Sequence, residues 1–200
     1  MARKMNPTRK MREPLLTIIG AGITEKYYFR HLKNLCGLKI EVKPKYFGSD
    51  TAHDMQKLVE SVLSMGGKAV CVFDMDTTRW DNVEKQRKQD LIEQYGKNSD
   101  VLLCDSMPSI EYWFLLHFEN TNRYMATSRE AMNALRKYIP DFDKNAQFLE
   151  KDQWVRLLLT DNRLAVACER AETFAKNKTA DDTISYSELY KLFELLTPQK

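Results

Sequence analysis

Two aspartates, Asp74 and Asp76, stand one residue apart directly after the uniformly apolar residues 69–73. Such a run predicts a strand that is buried on both faces. Residues i and i+2 of a strand point to the same side, so the two carboxylates are predicted to face one small volume. Ligand sites in open α/β sheets lie just outside the carboxyl ends of strands. Like charges held so close need a counter-charge, which an oxygen-liganded divalent ion such as Mg²⁺ supplies.

A second stretch that can do chemistry is the Gly-Ala-Gly-Ile-Thr-Glu turn at residues 20–25, which follows the first apolar run and opens a helix. Exposed backbone N–H groups at such a turn can hold a phosphate or carboxylate oxygen. No Gly-Lys-Ser/Thr follows, so the turn is not a P-loop, and it is not a complete dinucleotide fingerprint. Glu25 is then either a ligand or a first-turn acid that favours the helix dipole.

A third stretch, residues 106–118, carries the lone acid Glu111 into an otherwise apolar helix. A buried acid must be paired, protonated or bound to a metal. By pattern alone, a helix-start acid and a ligand are equally good interpretations of Glu111. His117, in the same helix, is interpreted as a core or boundary histidine in preference to a catalytic base.

The elements that must position these residues alternate between strand and helix four times across residues 15–118. That alternation predicts an α/β fold with a mostly parallel four-stranded sheet and flanking helices. Strands are predicted at residues 15–19, 38–47, 69–73 and 101–104. After residue 118 no strand is predicted, and helical periodicity marks residues 128–138, 151–159, 162–176 and 187–196. Residues 119–200 are therefore predicted to be a helical extension packed on the core.

The composition fits one domain plus a modest extension: 200 residues, 43% hydrophobic and 30% charged. No apolar run is long enough for a membrane span, and the N-terminus does not resemble a secretory signal. The four cysteines show no C-x-x-C spacing, which predicts a reduced, cytoplasmic protein without a zinc site.

The charge is uneven although its net value is only +3. Residues 1–14 form a basic arm that is either a solubilising tail or an arm that contacts backbone phosphates. Its basic residues are Arg3, Lys4, Arg9, Lys10 and Arg12.

Together the three stretches resemble a Toprim domain, and more narrowly the RloB-like family of phage-defence proteins. That family begins with a Glu-Gly-x-x-Thr-Glu-like turn and a helix carrying Tyr-Phe, and its Asp-x-Asp falls on Asp74 and Asp76. The first turn matches at Gly22, Thr24, Glu25, Tyr28 and Phe29, with one residue fewer between Gly22 and Thr24. The family's third block falls on Ser106, Pro108, Glu111, Trp113, Leu115, Leu116, His117 and Phe118. Its closing helix falls on Ser187, Tyr190, Leu192 and Leu195, so the resemblance covers about residues 15–196.

One position departs from the family pattern: Ala21 stands where a Toprim glutamate is expected. In Toprim enzymes that glutamate is a metal ligand or general acid/base. A natural inactive homologue and an engineered silencing substitution would both explain the alanine. Retention of Glu25, Asp74, Asp76 and Glu111 favours the engineered origin.

The resemblance implies a nuclease that hydrolyses phosphodiester bonds with Mg²⁺ or Mn²⁺ and acts as a toxic effector in abortive phage infection. Asp74 and Asp76 would hold metal, with Glu25 and Glu111 in a neighbouring shell. Lys176 and Lys178 are weak candidates for a substrate-binding lysine, because surface lysines are the usual interpretation there. The implied partners are DNA or RNA, including transfer RNA, and an ATPase; homo-oligomers are compatible with the sequence.

Two other function classes stay open at the sequence level. A non-catalytic Toprim-fold module would bind nucleic acid or a partner ATPase, and a natural Ala21 would agree with it. A phosphoryl-transfer or nucleotide-binding α/β protein also places Asp-x-Asp after a strand. The haloacid-dehalogenase type uses the first strand of its core, however, whereas Asp74 follows the third.

Overall fold

The fold is a five-stranded sheet with helices on both faces, as seen in a computed structural model that describes residues 15–20, 22–43, 52–76, 81–177 and 184–196. Asp161 and Asn162 of the short 3-10 turn Thr160–Asn162 have left-handed backbones. The helices and strands are β1 (Leu16–Gly20), α1 (Ile23–Cys36), β2 (Ile40–Lys43), α2 (Ala52–Ser64), β3 (Lys68–Asp74), α3 (Asn82–Tyr95), β4 (Val101–Met107), α4 (Ile110–Leu116), α5 (Ser128–Leu135), α6 (Ala146–Leu149), α7 (Gln153–Leu159), α8 (Arg163–Lys176), β5 (Tyr186–Ser187) and α9 (Tyr190–Leu196).

The sheet order is β2-β1-β3-β4-β5, and every pairing is parallel except that of β5 with β4. The predicted α/β class with a mostly parallel sheet is confirmed. The predicted count of four strands is wrong, because β5 adds a fifth at residues 186–187. Two residues are too few to show strand periodicity, and long-range pairing with β4 defines this strand. Ser106 Oγ and Ser187 Oγ, for example, lie 2.7 Å apart.

Several helix ends follow local signals. Gly37 ends α1 in the left-handed conformation, at φ 64°, where glycine has no steric cost. Asp81 caps α3 by accepting hydrogen bonds from Val83 N and Glu84 N, so this helix begins at Asn82. The last predicted helix, 187–196, begins only at Tyr190 because β5 precedes it.

The strand β3 is buried on both faces, as its apolar sequence predicts, and it separates two cores. On one face Cys71 and Phe73 pack with α2 and α3. On the other face Val70 and Val72 pack with α1, α4 and side chains from the helices after residue 118. Those later side chains include Leu135, Phe142, Leu149, Trp154, Leu158 and Leu192.

Within the described residues, no helix combines the length and the apolar character that crossing a membrane requires. The basic arm, residues 1–14, lies outside the described residues.

Candidate functional site

The carboxyl end of β3 is fixed against the segment that follows β4. Asp74 is the last residue of β3, and its Oδ1 accepts a hydrogen bond of 2.9 Å from Ile110 N at the beginning of α4. The next amide, Met75 N, donates to Ser106 O and Pro108 O, each at 3.0 Å. Asp74 is therefore held in one orientation by backbone groups of a neighbouring strand and helix.

Asp76 lies two residues beyond the end of β3, so strand alternation does not set its direction. Its amide donates to Pro108 O at 3.0 Å, and its Oδ2 accepts from Ser128 N, the first residue of α5, also at 3.0 Å. Each aspartate thus binds an amide at the beginning of a different helix. One oxygen of each carboxylate, Asp74 Oδ2 and Asp76 Oδ1, has no hydrogen-bond partner among the described residues.

Glu25 is buried in the first turn of α1, 3% exposed, and packs over the glycines that precede it. A Cβ at Gly20 would lie 2.6 Å from Glu25 Cβ, and one at Gly22 would lie 2.8 Å from Glu25 Oε2. The backbone of Gly22 is extended, at φ −141°. Glycine is therefore required at position 20 for the close approach of Glu25, whereas at position 22 a Cβ would meet only the movable carboxylate end of that side chain.

Glu111 is fully buried in α4 and is paired on both oxygens. Ser109 Oγ donates to its Oε2 at 2.6 Å, and Lys144 Nζ lies 3.0 Å from its Oε1. The contact with Lys144 is an ion pair without well-directed hydrogen-bond geometry. A buried acid must be paired, protonated or bound to a metal, and Glu111 is paired.

The carboxylates at this edge are buried and repel one another electrostatically. Burial raises the pKa of Glu25 to about 7, and the charge of Glu111 adds to the rise, while a backbone hydrogen bond and Lys144 oppose it. Burial also raises the pKa of Asp74 well above its ordinary value, with further contributions from the charges of Glu25 and Glu111. The cluster therefore disfavours its own full ionisation.

Two lysines reach the cluster from distant parts of the chain. Burial works against the charge of Lys144, but Glu111, Asp74 and Glu25 outweigh it and raise the pKa of Lys144. Lys88 of α3, 8% exposed, donates to the backbone carbonyl of Asp74, and burial lowers its pKa against the charges of Asp74 and Asp76. Sequence reasoning missed both lysines, because each lies outside the contiguous motifs that carry the acids.

The comparison with family models shows to which protein family the chain belongs. The model described as RloB-like protein matches residues 16–196. This chain belongs to the RloB-like family. The resemblance to RloB-like proteins predicted from the residues is thereby confirmed. No curated protein and no solved structure matches the chain.

The predicted site residues of this RloB-like protein fall into three groups. Glu25, Asp74 and Glu111 interact electrostatically in one cluster, and Asp76 lies beside it. Lys176 is an exposed residue at the end of α8 that pairs with Glu172 at 2.7 Å. Ala21 and Lys178 lie outside the described residues.

Carboxylate oxygens are the ligands that Mg²⁺ and Mn²⁺ prefer, so the donor chemistry of the cluster fits either ion. Among the described residues, however, no three His, Cys, Asp or Glu side chains are arranged to hold one ion together. Mg²⁺ commonly binds through one or two carboxylates and completes its shell with water and substrate phosphate. Asp74 Oδ2 and Asp76 Oδ1 suit that mode, because neither oxygen has a hydrogen-bond partner in the described part of the chain.

His117 is a core residue. It is 3% exposed, and its Nδ1 donates to Trp113 O at 3.0 Å. Burial lowers its pKa to about 4, against two backbone hydrogen bonds that raise it. Its ring packs edge-on to Trp113 at a centroid distance of 5.0 Å.

Proposed function

We propose that this RloB-like protein has the site of a metal-dependent Toprim nuclease and that Ala21 silences it in this chain. The supporting observation is the cluster of Glu25, Asp74 and Glu111 at the carboxyl edge of the sheet, with pKa values raised for Glu25 and Asp74. Buried acids that repel one another at a strand end are typical of a site that receives a cation.

A divalent ion held at such a site would polarise the phosphate and make the attacking water more acidic. Asp74 and Asp76 would bind it through the oxygens that face away from Ile110 N and Ser128 N. Glu25, a buried carboxylate whose pKa burial raises, would take the proton of the attacking water. The water oxygen would bond to phosphorus as the ester P–O bond breaks, and the leaving oxygen would take a proton from solvent.

The proposed substrate is nucleic acid, either DNA or RNA, with transfer RNA among the candidates. The proposed setting is abortive phage infection in the cytoplasm, with an ATPase as the controlling partner. Family resemblance supports these assignments. The reaction class has the further support of the acid cluster.

The decisive experiment is end-mapped cleavage of total cellular RNA and of plasmid DNA, with and without Mg²⁺. It compares this chain with its Ala21→Glu form. We expect cleavage only by the Ala21→Glu form and only with metal, because the substitution restores the missing carboxylate. Equal cleavage by the two forms would refute the role assigned to position 21.

A second substitution tests the proposed metal ligand. Asp74→Asn, added to the Ala21→Glu form, should abolish metal-dependent cleavage, because an amide is a weaker ligand for a hard cation. Asp90→Asn, an exposed aspartate on α3, is the matched control and should leave cleavage unchanged. Full cleavage by the Asp74→Asn variant would exclude Asp74 as a ligand.

The alternative is a non-catalytic Toprim-fold module that binds nucleic acid or a partner ATPase. The ion pair between Glu111 and Lys144 favours it, since the pair partly neutralises the cluster without any metal. This alternative predicts nucleic-acid or ATPase binding that is independent of Mg²⁺, and no cleavage by either form at position 21.

A further inference from the structure

Lys144 is a cation supplied to the acid cluster from outside the strand-helix core, from the loop before α6. We propose that Lys144 is the phosphate-contacting residue of the site: its Nζ binds a non-bridging oxygen of the phosphodiester. The proposal rests on the proposed nuclease function and adds a substrate contact to it.

The backbone around Lys144 is fixed on both sides. Phe142 is fully buried, and its ring lies 6.0 Å from that of Phe114 and 5.7 Å from that of Trp154. Asp143 Oδ1 accepts from Lys144 N at 2.8 Å. Asn145 caps α6 by accepting from Phe148 N at 2.8 Å. These contacts hold the backbone of Lys144 in place, while its long side chain keeps its rotational freedom.

The two ends of the ion pair differ in exposure. The side chain of Glu111 is 0% exposed, whereas that of Lys144 is 38% exposed. Lys144 is thus the solvent-accessible member of the pair, and a phosphate that enters from solvent can reach it. A lysine ammonium has three donors, so Nζ can bind a phosphate oxygen and stay near Glu111.

Two other lysines, Lys88 and Lys176, do not match these properties. Lys88 is buried, binds the Asp74 carbonyl and lies 5.4 Å from the Phe73 ring, on the face of the sheet that packs with α2 and α3. Lys176 interacts with Glu172, Tyr190 and Glu194, none of which is in the cluster. The charge of Lys144, in contrast, acts on Glu111, Asp74 and Glu25.

The test measures binding, so it needs no turnover. A short fluorescein-labelled oligonucleotide of mixed sequence, as RNA and as DNA, is titrated with this chain in Mg²⁺ at several salt concentrations. Lys144→Met should weaken binding on the order of tenfold and lower the slope of log K against log salt by about 0.7 to 0.9, the contribution of one phosphate contact. Lys144→Arg should keep the slope, since it keeps the charge. Lys151→Met, an exposed lysine of the same extension, is the matched control and should change neither quantity.

Glu111→Gln separates a phosphate contact from a merely structural ion pair. The proposal expects this variant to keep the parent's salt slope and to bind the probe at least as well, because Nζ is released from its partner. A Lys144→Met variant with the parent's slope would overturn the proposal. A loss in Glu111→Gln as large as that in Lys144→Met would do the same. If Lys144→Met does not fold, as judged by circular dichroism, the Lys144→Arg and Glu111→Gln results decide.

The outcome is independent of the nuclease experiment. If Lys144→Met lowers the salt slope of binding but the Ala21→Glu form does not cleave, the phosphate contact is supported and the nuclease proposal is refuted. Metal-dependent cleavage by the Ala21→Glu form, with a slope unaffected by Lys144→Met, does the reverse.

Discussion

At the residue scale, the main feature is the amount of negative charge that the fold buries at one edge of the sheet. Glu25 is 3% exposed and Glu111 is fully buried, and both act on Asp74. Desolvation disfavours the charged form of an acid, and neighbouring carboxylates add to that effect. The site therefore costs stability at neutral pH, which is common where residues are arranged for function and not for folding.

The first prediction concerns the pH dependence of folding stability in EDTA. The pKa of Glu25 is about 7 in the folded protein against 4.5 for the ordinary group. Between these values the unfolded chain releases a proton that the folded protein retains, so the free energy of unfolding falls as pH rises and levels off above about pH 7. Glu25→Gln should reduce this fall and raise stability at about pH 8 by about 2 kcal/mol.

Urea denaturation of the parent and of Glu25→Gln at about pH 5 and about pH 8 measures this effect. Between these two pH values, about 5 and about 8, Glu25 is more protonated in the folded protein than in the unfolded chain. Glu93→Gln, an exposed glutamate on α3, is the control and should keep the parent's pH dependence. A Glu25→Gln variant whose stability falls with pH as steeply as the parent's would show that Glu25 is not the group responsible.

The second prediction concerns the glycines under Glu25. Gly20→Ala should lower the free energy of unfolding by about 1 to 3 kcal/mol, because the new Cβ would meet Glu25 Cβ, which cannot move without the helix. Gly22→Ala should cost less, since it meets only the carboxylate end of the same side chain. Urea denaturation measures both losses, and a larger loss for Gly22→Ala would contradict this account.

At the element scale, the beginnings of α4 and α5 orient the aspartates, and β5 completes the sheet beside them. The side chains of β5 bind those of β4: Tyr186 OH donates to Asp105 Oδ2 at 2.8 Å, and the hydroxyls of Ser106 and Ser187 meet. Glu188 N also donates to Asp105 O at 2.9 Å. A two-residue strand thus depends on side-chain hydrogen bonds in addition to its ladder.

The third prediction is that Tyr186→Phe destabilises the protein by about 1 to 3 kcal/mol, because it removes the hydroxyl donor from a buried carboxylate. Tyr138→Phe removes a comparable hydrogen bond, to Glu119 at 3.2 Å, from an exposed tyrosine. We expect a change within about 0.5 kcal/mol there. Thermal or urea unfolding compares the two variants, and equal losses would argue against a role for the Asp105 contact.

At the scale of the whole molecule, the helices after residue 118 complete both the core and the site. Phe142 and Trp154 pack on Phe114 of α4, and Trp154 also packs on Tyr28 of α1. The same segment delivers Ser128 N to Asp76 and Lys144 Nζ to Glu111. Packing and chemistry therefore depend on one set of long-range contacts.

The fourth prediction is that residues 15–118 alone do not unfold cooperatively in urea, because the α1 and α4 faces would lose their apolar cover. The fragment 15–196, which lacks the basic arm, is the control and should unfold in one transition like the full chain. A cooperative urea transition of residues 15–118 would show instead that the strand-helix part is a separate domain.

The sequence by itself determined the alternating strands and helices, the buried β3 and the family, because these depend on local periodicity and on motifs that are contiguous in the chain. The sequence also singled out the acids Glu25, Asp74 and Glu111, because each lies at the beginning or end of a local helix or strand. Only the tertiary structure revealed β5 and the lysines Lys88 and Lys144 at the acids. The physical reason is separation along the chain: Lys144 lies 33 residues after Glu111, and it meets that acid only because residues beside it, such as Phe142, pack into the shared core.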